Sequence, residues 1–313
     1  MDKPRPCGCK GCRTCLLCEK TFGLIPKKFE FSKENSYVYC PYCNKAWPGW
    51  NMDDYKSHPK HDGEPIEYPG VYIHLNFLTI NEELKLINGI DDMPWTLSQS
   101  GRRKQNLGPK CNFKRNKLNC GNFNGFPQFS KFVQEKFCNI PILKTFHCVE
   151  QCSLEYDPSR GASIDPHIDD CWIWGERIVT VNMLSDSMLT MTYNTKVDHY
   201  NLQHVKNYRA VLNEKGHENV TEECYQIKQH EINKVYPIIR IPMPNRSLLV
   251  LFNSARYDWE HRILREDVTT RRVCLAYREF TPFYLPEGEK WEEGSEILLR
   301  AQKFWDYSVG NIM

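Results

Sequence analysis

Residues 247–280 read SLLVLFNSARYDWEHRILREDVTTRRVCLAYREF. Two strand signals frame this stretch. Residues 247–253 form a short, branched apolar run, and residues 271–280 alternate with period two. In the second run Val273, Leu275 and Tyr277 fall on one face, while Arg272, Cys274, Ala276 and Arg278 share the other. Upstream, RIVTVNML (177–184) and YPIIRIPM (236–243) carry the same signal, with Gly and Pro turns between the runs and little helical periodicity. That texture belongs to a β-sandwich or jelly roll. Helical signals lie only at the flanks: TINEELKLINGI (79–90), with Thr79 or Asn81 as its cap, and EEGSEILLRAQKFWDY (292–307). The expected class is mainly β with flanking helices, built on a double-stranded β-helix (jelly roll).

The same stretch carries chemistry. His261 follows the apolar run, and about 90 residues upstream stands His167-Ile-Asp169. In a strand, residues two apart share a face, so His167 and Asp169 present an imidazole and a carboxylate together. Two histidines and one aspartate with open positions make the facial triad of non-haem Fe(II) oxygenases. Two arginines on a strand face that otherwise holds small residues point to a pocket, because a buried guanidinium needs an anionic partner and a carboxylate fits it best. At 3.3 Å per residue, Arg272 and Arg278 lie roughly 20 Å apart along a straight strand. One small diacid cannot be held end-on by both, so Arg272 is expected to make the main contact and Arg278 a lesser one.

The chain has 313 residues, 41% hydrophobic and 26% charged, and 41 basic against 39 acidic side chains leave a formal net charge of +2. This composition supports a folded core and excludes extensive disorder and any global field that would steer the protein to a polyanion. Apolar stretches of about six to eight residues are too short to span a membrane. The opening MDKPRPCGCK has no apolar signal region, so a cytoplasmic and nuclear location is expected. Fifteen cysteines are present, and seven fall within the first 43 residues: Cys7, Cys9, Cys12, Cys15, Cys18, Cys40 and Cys43. In a reducing compartment a disulfide framework is not expected. Cys15-x2-Cys18 and Cys40-x2-Cys43 instead suit a tetrahedral structural zinc. Cys7, Cys9 and Cys12 are alternative ligands or a second set, and His58 and His61 are further candidates. An iron–sulfur cluster or an unstructured redox-sensitive tail are the other readings. Four regions are expected: a Cys-rich segment at 1–64, a support and substrate-lid region at 65–145, the jelly-roll core at 146–285 with an insert at about 190–232, and a C-terminal helix at 286–313.

Several motifs together resemble the AlkB-like family of Fe(II)- and 2-oxoglutarate-dependent dioxygenases, and within it the fourth animal branch. They are His167-x-Asp169, His261 after A-R-Y-x-W, R-x5-R at Arg272–Arg278, LSQSGRRKQNLGPK (97–110), EQCSLEYDPSRG (150–161) and the CGCKG…RTCLLCE opening. The resemblance covers nearly the whole chain. It implies oxidative N-demethylation: Fe(II) on His167, Asp169 and His261, 2-oxoglutarate bound by Arg272 with Tyr156 and Arg278 nearby, and O2 as the oxidant. Succinate and formaldehyde are the implied products. Implied substrates are methylated bases in DNA or RNA, and for this branch methyl-lysine on protein, with actin as partner, and N6-methyladenine. The chain departs from many family members at Leu154 and Cys274, where asparagines are usual, so hydrogen bonding to the cosubstrate is expected to be partly rewired.

Basic residues of the implied lid, Arg102 and Arg103, and the KRNK run at 114–117 are candidates for phosphate or acidic-surface contact. Trp172 and Trp174 are candidates for stacking on a base or caging a methylammonium, with core packing as the alternative. The protein is expected to act as a monomer. The alternative functions are a catalytically idle zinc-dependent binding protein and a demethylase of other nucleic-acid bases.

Overall fold

The computed structural model describes residues 4–306 apart from 28, 30, 197 and 232. Apart from short strands of two or three residues, its strands in the first half are β1 (Ser36–Cys40), β2 (Lys45–Pro48), β3 (Val71–His74), β4 (Arg103–Leu107), β5 (Glu150–Tyr156) and β6 (Ile164–His167). The second half holds β7 (Trp174–Met183), β8 (Ser187–Tyr193), β9 (Ile238–Met243), β10 (Leu248–Leu251), β11 (Trp259–Ile263) and β12 (Arg272–Phe280). Among the described residues five α-helices accompany them, besides short 3-10 turns: α1 (Leu16–Phe22), α2 (Ile80–Asp92), α3 (Lys131–Phe137), α4 (Asn253–Tyr257) and α5 (Trp291–Ala301). The molecule is thus mainly β with few helices.

Two sheets dominate. One runs β3-β10-β7-β12-β5-β4 and ends in Thr96–Leu97; the other runs β6-β11-β8-β9-β1-β2 and ends in Ile66–Glu67. One hydrophobic cluster takes residues from both, among them Val181 and Leu275 from the first and Met191 and Ile239 from the second. Strand β12 explains the arrangement. Its apolar face meets a helix, since Tyr277 makes an edge contact with Phe137 of α3 at 5.2 Å. Its other face meets the second sheet, where an Arg272 guanidinium nitrogen lies 3.7 Å from the Met243 sulfur of β9. A period-two pattern in the chain therefore becomes a two-sided burial, apolar outward to the helices and polar inward between the sheets.

Local signals fix the helix that backs the first sheet. Thr79 is the cap of α2: its hydroxyl accepts from the Glu82 N–H at 3.2 Å, and the Glu82 carboxylate accepts from the Thr79 N–H at 2.7 Å. At the other flank α5 buries Ile297 and Ala301 in the same core.

Half of the Cys-rich N-terminal region is built into the second sheet. Strand β1 pairs in parallel with β9, Ser36 opposite Ile238 through Val38 opposite Arg240. Between β8 and β9 the described residues of 194–237 contribute no strand to either sheet. They bring Leu202, Val205 and Tyr225 into a small apolar cluster with Ile168, Cys171 and Tyr257. No helix among the described residues is long and apolar enough to cross a membrane.

Candidate active site

His167 ends β6, and His261 lies directly opposite it in β11. Their rings stand 4.2 Å apart between centroids. Asp169, two residues past the strand end, brings a carboxylate oxygen to 3.8 Å from His167 Nε2. One donor atom from each of the three lies within 4.8 Å of the others. His167 Nδ1 sits 2.9 Å from the Asp165 carbonyl, which can only accept. That contact places the ring proton on Nδ1 and leaves the Nε2 lone pair free on the side of Asp169.

Electrostatics suit a cation here. Burial would raise the Asp169 pKa, but neighbouring positive charge, the Arg278 guanidinium above all, holds it well below the carboxylate range. Burial lowers the pKa of His167, and that of His261 falls well below the histidine range. An ionised carboxylate between two neutral imidazoles is the donor set of a facial-triad metal.

The two arginines of β12 diverge. Arg278 binds Asp169 through Nε at 3.0 Å and Nη2 at 3.3 Å, and its Nη1 pairs with Glu150. Arg272, only 1% exposed, donates from Nε to the Asn182 side-chain oxygen at 2.6 Å. Its Nη1 is buried without a hydrogen-bond partner. A buried guanidinium group with an open donor fits a bound carboxylate. Tyr156 lies opposite Arg272 in the strand register, its ring 4.8 Å from the guanidinium carbon.

A cleft of about 1270 Å³ opens over His167, Asp169 and Arg278. Arg102 and Trp174 line it, as do Arg13, Lys104 and Lys110. Arg103 and Trp172 are not among its lining residues. Arg103 pairs with Glu155, which also binds Arg160 and Arg271. Trp172 is packed in the core, 3% exposed, with edge contacts to Phe113 and Tyr284.

The set Cys15, Cys18, Cys40 and Cys43 is not one site. Cys15 and Cys18 join Cys7 and Cys9, whereas Cys40 and Cys43 join His58 and His61. The reason is topological. The first pair lies at the β6 end of the second sheet, where Arg13 pairs with Asp165 and Glu19 with Arg265. The second pair sits at the β1–β2 turn, with three strands between β6 and β1. At about 4.8 Å per strand step that separation is roughly 19 Å, too far for one ion. Cys12 is exposed and in neither group.

Sequence reading passed over Asn182, Glu150 and the braces from residues 200–201. Asn182 had a usable signal: it is the amide side chain in β7, close to the end of a strand that from Ile178 on is otherwise Ile, Val, Thr and Met. The Asn201 amide donates to the Asp170 carboxylate at 2.7 Å, and the Cys171 N–H to the Tyr200 carbonyl at 2.8 Å. Nothing in the polar texture of that insert marks those two residues.

No family model matches the chain. Human and mouse proteins named alpha-ketoglutarate-dependent dioxygenase alkB homolog 4 are 39% and 37% identical to it over 300 residues, covering 96% and 95% of this chain and 94% of each relative. A Caenorhabditis elegans protein named DNA N6-methyl adenine demethylase is 31% identical over 310 residues, 93% of both chains. With near-complete coverage at these identities, the chain belongs to the AlkB homologue family of alpha-ketoglutarate-dependent dioxygenases.

Proposed function

We propose that this dioxygenase performs oxidative N-demethylation, and that its substrate is an N-methylated adenine in nucleic acid. The observation that carries the substrate class is the cleft over His167 and Asp169. Its volume of about 1270 Å³ exceeds the roughly 300–1,000 Å³ of small-molecule sites. Arg13, Arg102, Lys104 and Lys110 along its wall suit a phosphodiester backbone. Phe113, half exposed at the same cleft, offers a face on which a base can stack. A relative whose name is DNA N6-methyl adenine demethylase supports the same choice.

In this reading His167, Asp169 and His261 hold Fe(II), which when bound supplies the activation of O2 coupled to decarboxylation of 2-oxoglutarate. Arg272 receives the distal carboxylate of the cosubstrate on its open Nη1, with Tyr156 against the guanidinium. Arg278 becomes a positioning residue for Asp169 rather than a cosubstrate ligand. The chain alternates between the sheets from β5 to β8 and again from β9 to β12, which supports a double-stranded β-helix as the frame. Zinc on Cys7, Cys9, Cys15 and Cys18 completes the reading, since four thiol donors within 4.8 Å of one another match a structural site. Fifteen free thiols suit the reducing cytoplasm and nucleus.

A second reading is methyl-lysine on a protein such as actin. Its support is a pair of carboxylates, Asp165 and Asp170, in the same cleft, which suit a cationic side chain. The test is formaldehyde release, with 2-oxoglutarate present, from matched N6-methyladenine oligonucleotides and methyl-lysine peptides. Release from the oligonucleotide that is lost in the His167→Ala, Asp169→Ala double variant supports the proposal. Release from peptides alone transfers the assignment to protein. Failure of the pure protein to turn 2-oxoglutarate into succinate would leave an idle binding fold.

A further inference from the structure

Cys40 closes β1 and Cys43 lies in the turn that leads to β2. Asn44, at φ 56°, adopts the left-handed conformation, and its N–H donates to the Cys40 carbonyl at 2.9 Å. This tight turn sets both thiols on one side of the hairpin. The chain then returns through a 3-10 turn at Met52–Ser57 and lays His58 and His61 against the same side. One donor atom from each of Cys40, Cys43, His58 and His61 lies within 4.8 Å of the other three.

The surroundings point to a ligand. His61 Nε2 is buried and has no hydrogen-bond partner. The Trp47 indole N–H donates to the Cys43 sulfur at 3.3 Å, and its ring stacks on His61 at 4.7 Å. Tyr42 stacks on His58 at 5.2 Å. The imidazole rings are thus oriented by aromatic neighbours, and one sulfur accepts an outer hydrogen bond, as metal-ligand atoms commonly do. On the side of the four donors the buried cluster is small, Val38, Cys40, Tyr55 and Met188, while Tyr39 and Ala46 of the same hairpin enter the main core.

We propose that Cys40, Cys43, His58 and His61 bind a Zn(II) ion, separate from both the four-thiol group and the His167–Asp169–His261 site. Two thiolates and two neutral imidazoles give a neutral tetrahedral complex, a closed structural set. The ion ties the returning segment at His58 and His61 to the β1–β2 hairpin, which itself pairs with β9. Without the hairpin β9 would be an exposed edge, a surface that invites pairing with other chains. The hairpin also carries Trp50, whose ring covers the Arg240 guanidinium at 4.3 Å and whose carbonyl accepts from Arg240 Nε at 3.2 Å. Binding and local folding are then one equilibrium. This inference depends on neither the substrate nor the cosubstrate assignment.

The test uses the full chain, expressed with zinc under reducing conditions, stripped of metal at the open His167–Asp169–His261 site with a weak chelator and reloaded there with Fe(II), with zinc then measured per chain. Two zinc ions are expected, falling to one in His61→Ala and to one in the Cys7→Ser, Cys15→Ser double variant. A wild type with a single zinc that His61→Ala retains would overturn the proposal, as would two zinc ions retained in His61→Ala. Should His61→Ala fail to fold, His58→Cys keeps four donors. Its cobalt-substituted form should gain thiolate-to-cobalt absorption, and a spectrum identical to wild type would again overturn the assignment.

Discussion

Arg278 grips Asp169 with two nitrogens, Nε at 3.0 Å from one carboxylate oxygen and Nη2 at 3.3 Å from the other. The same guanidinium pairs with Glu150 on the neighbouring strand β5. If Asp169 serves as the proposed metal ligand, it is oriented before any metal arrives, and such outer partners are typically worth about 10–100-fold in metal affinity. Arg278→Lys keeps the charge but loses the planar fork. It should weaken Fe(II) binding by roughly that factor, read by metal titration, with little change in the KM for 2-oxoglutarate once iron saturates. An unchanged iron affinity would remove Arg278 from this role.

Arg272 is expected to show the opposite split. Its truncation leaves the distal carboxylate buried without a partner, a loss of about 2–5 kcal/mol. Arg272→Ala should therefore raise the KM for 2-oxoglutarate by at least about thirty-fold while iron affinity holds. Asn182→Ala removes the oxygen that orients Arg272 at 2.6 Å and should produce a smaller effect of the same kind. Equal damage to iron binding and cosubstrate binding in both variants would contradict the division of labour between the two arginines.

The strand face that carries both arginines was legible in residues 271–280, because alternation with period two needs no tertiary information. Their different partners were not. Which anion each guanidinium meets depends on register across β5, β7 and β12, and on Asn182, which sits about 90 residues earlier in the chain. His167 and His261 became a pair in the same way. His261 was visible after a strand, and His167 with Asp169 as an H-x-D expected on one strand face. Yet the strand stops at His167, Asp169 lies beyond it, and only the β6–β11 pairing sets the two histidines opposite one another. The cysteines teach the reverse lesson. Two C-x2-C motifs suggested one four-ligand site, but the parallel pairing of β1 with β9 carries the second motif to the far side of the sheet. Non-local strand pairing left no mark on the local spacing. Arg103 reads as a phosphate contact only while Glu155 is out of view, and Trp172 takes the core-packing role that its sequence also allowed.

Glu155 supplies a pH prediction. It is 1% exposed, and burial alone would raise its pKa, yet Arg103, Arg271 and Arg160 lower it from 4.5 to about 2. A depressed folded pKa contributes stability that is complete above the unfolded value near 4.5 and is lost as pH falls towards about 2. The difference corresponds to about 3 kcal/mol at neutral pH. Glu155→Gln should lower the melting temperature at pH 7 and flatten its decline in acid between those two values. A variant whose acid limb retraces the wild type would assign the stability to other carboxylates.

The insert between β8 and β9 should act on the metal loop rather than on substrate. It holds that loop at two points, the Asn201 amide on Asp170 at 2.7 Å and the Tyr200 carbonyl on the Cys171 N–H at 2.8 Å. The Tyr200 hydroxyl also donates to Glu260, the neighbour of His261, at 2.6 Å. Ile168, between the two ligands, is buried in the cluster that Leu202, Val205 and Tyr225 build. Asn201 has φ 55°, a conformation that glycine adopts without strain, so Asn201→Gly removes the amide and leaves the backbone its native path. Losing a hydrogen bond to a carboxylate costs about 1.5–3 kcal/mol. Amide hydrogen exchange across residues 168–173 should then accelerate by about ten-fold or more, since the loop opens by that free energy more often. Fe(II) affinity should fall in step, while exchange in β12 stays at the wild-type rate. Acceleration spread evenly through both sheets would mean that Asn201 serves global stability, and an unchanged loop would mean that the insert does not brace the ligands at all.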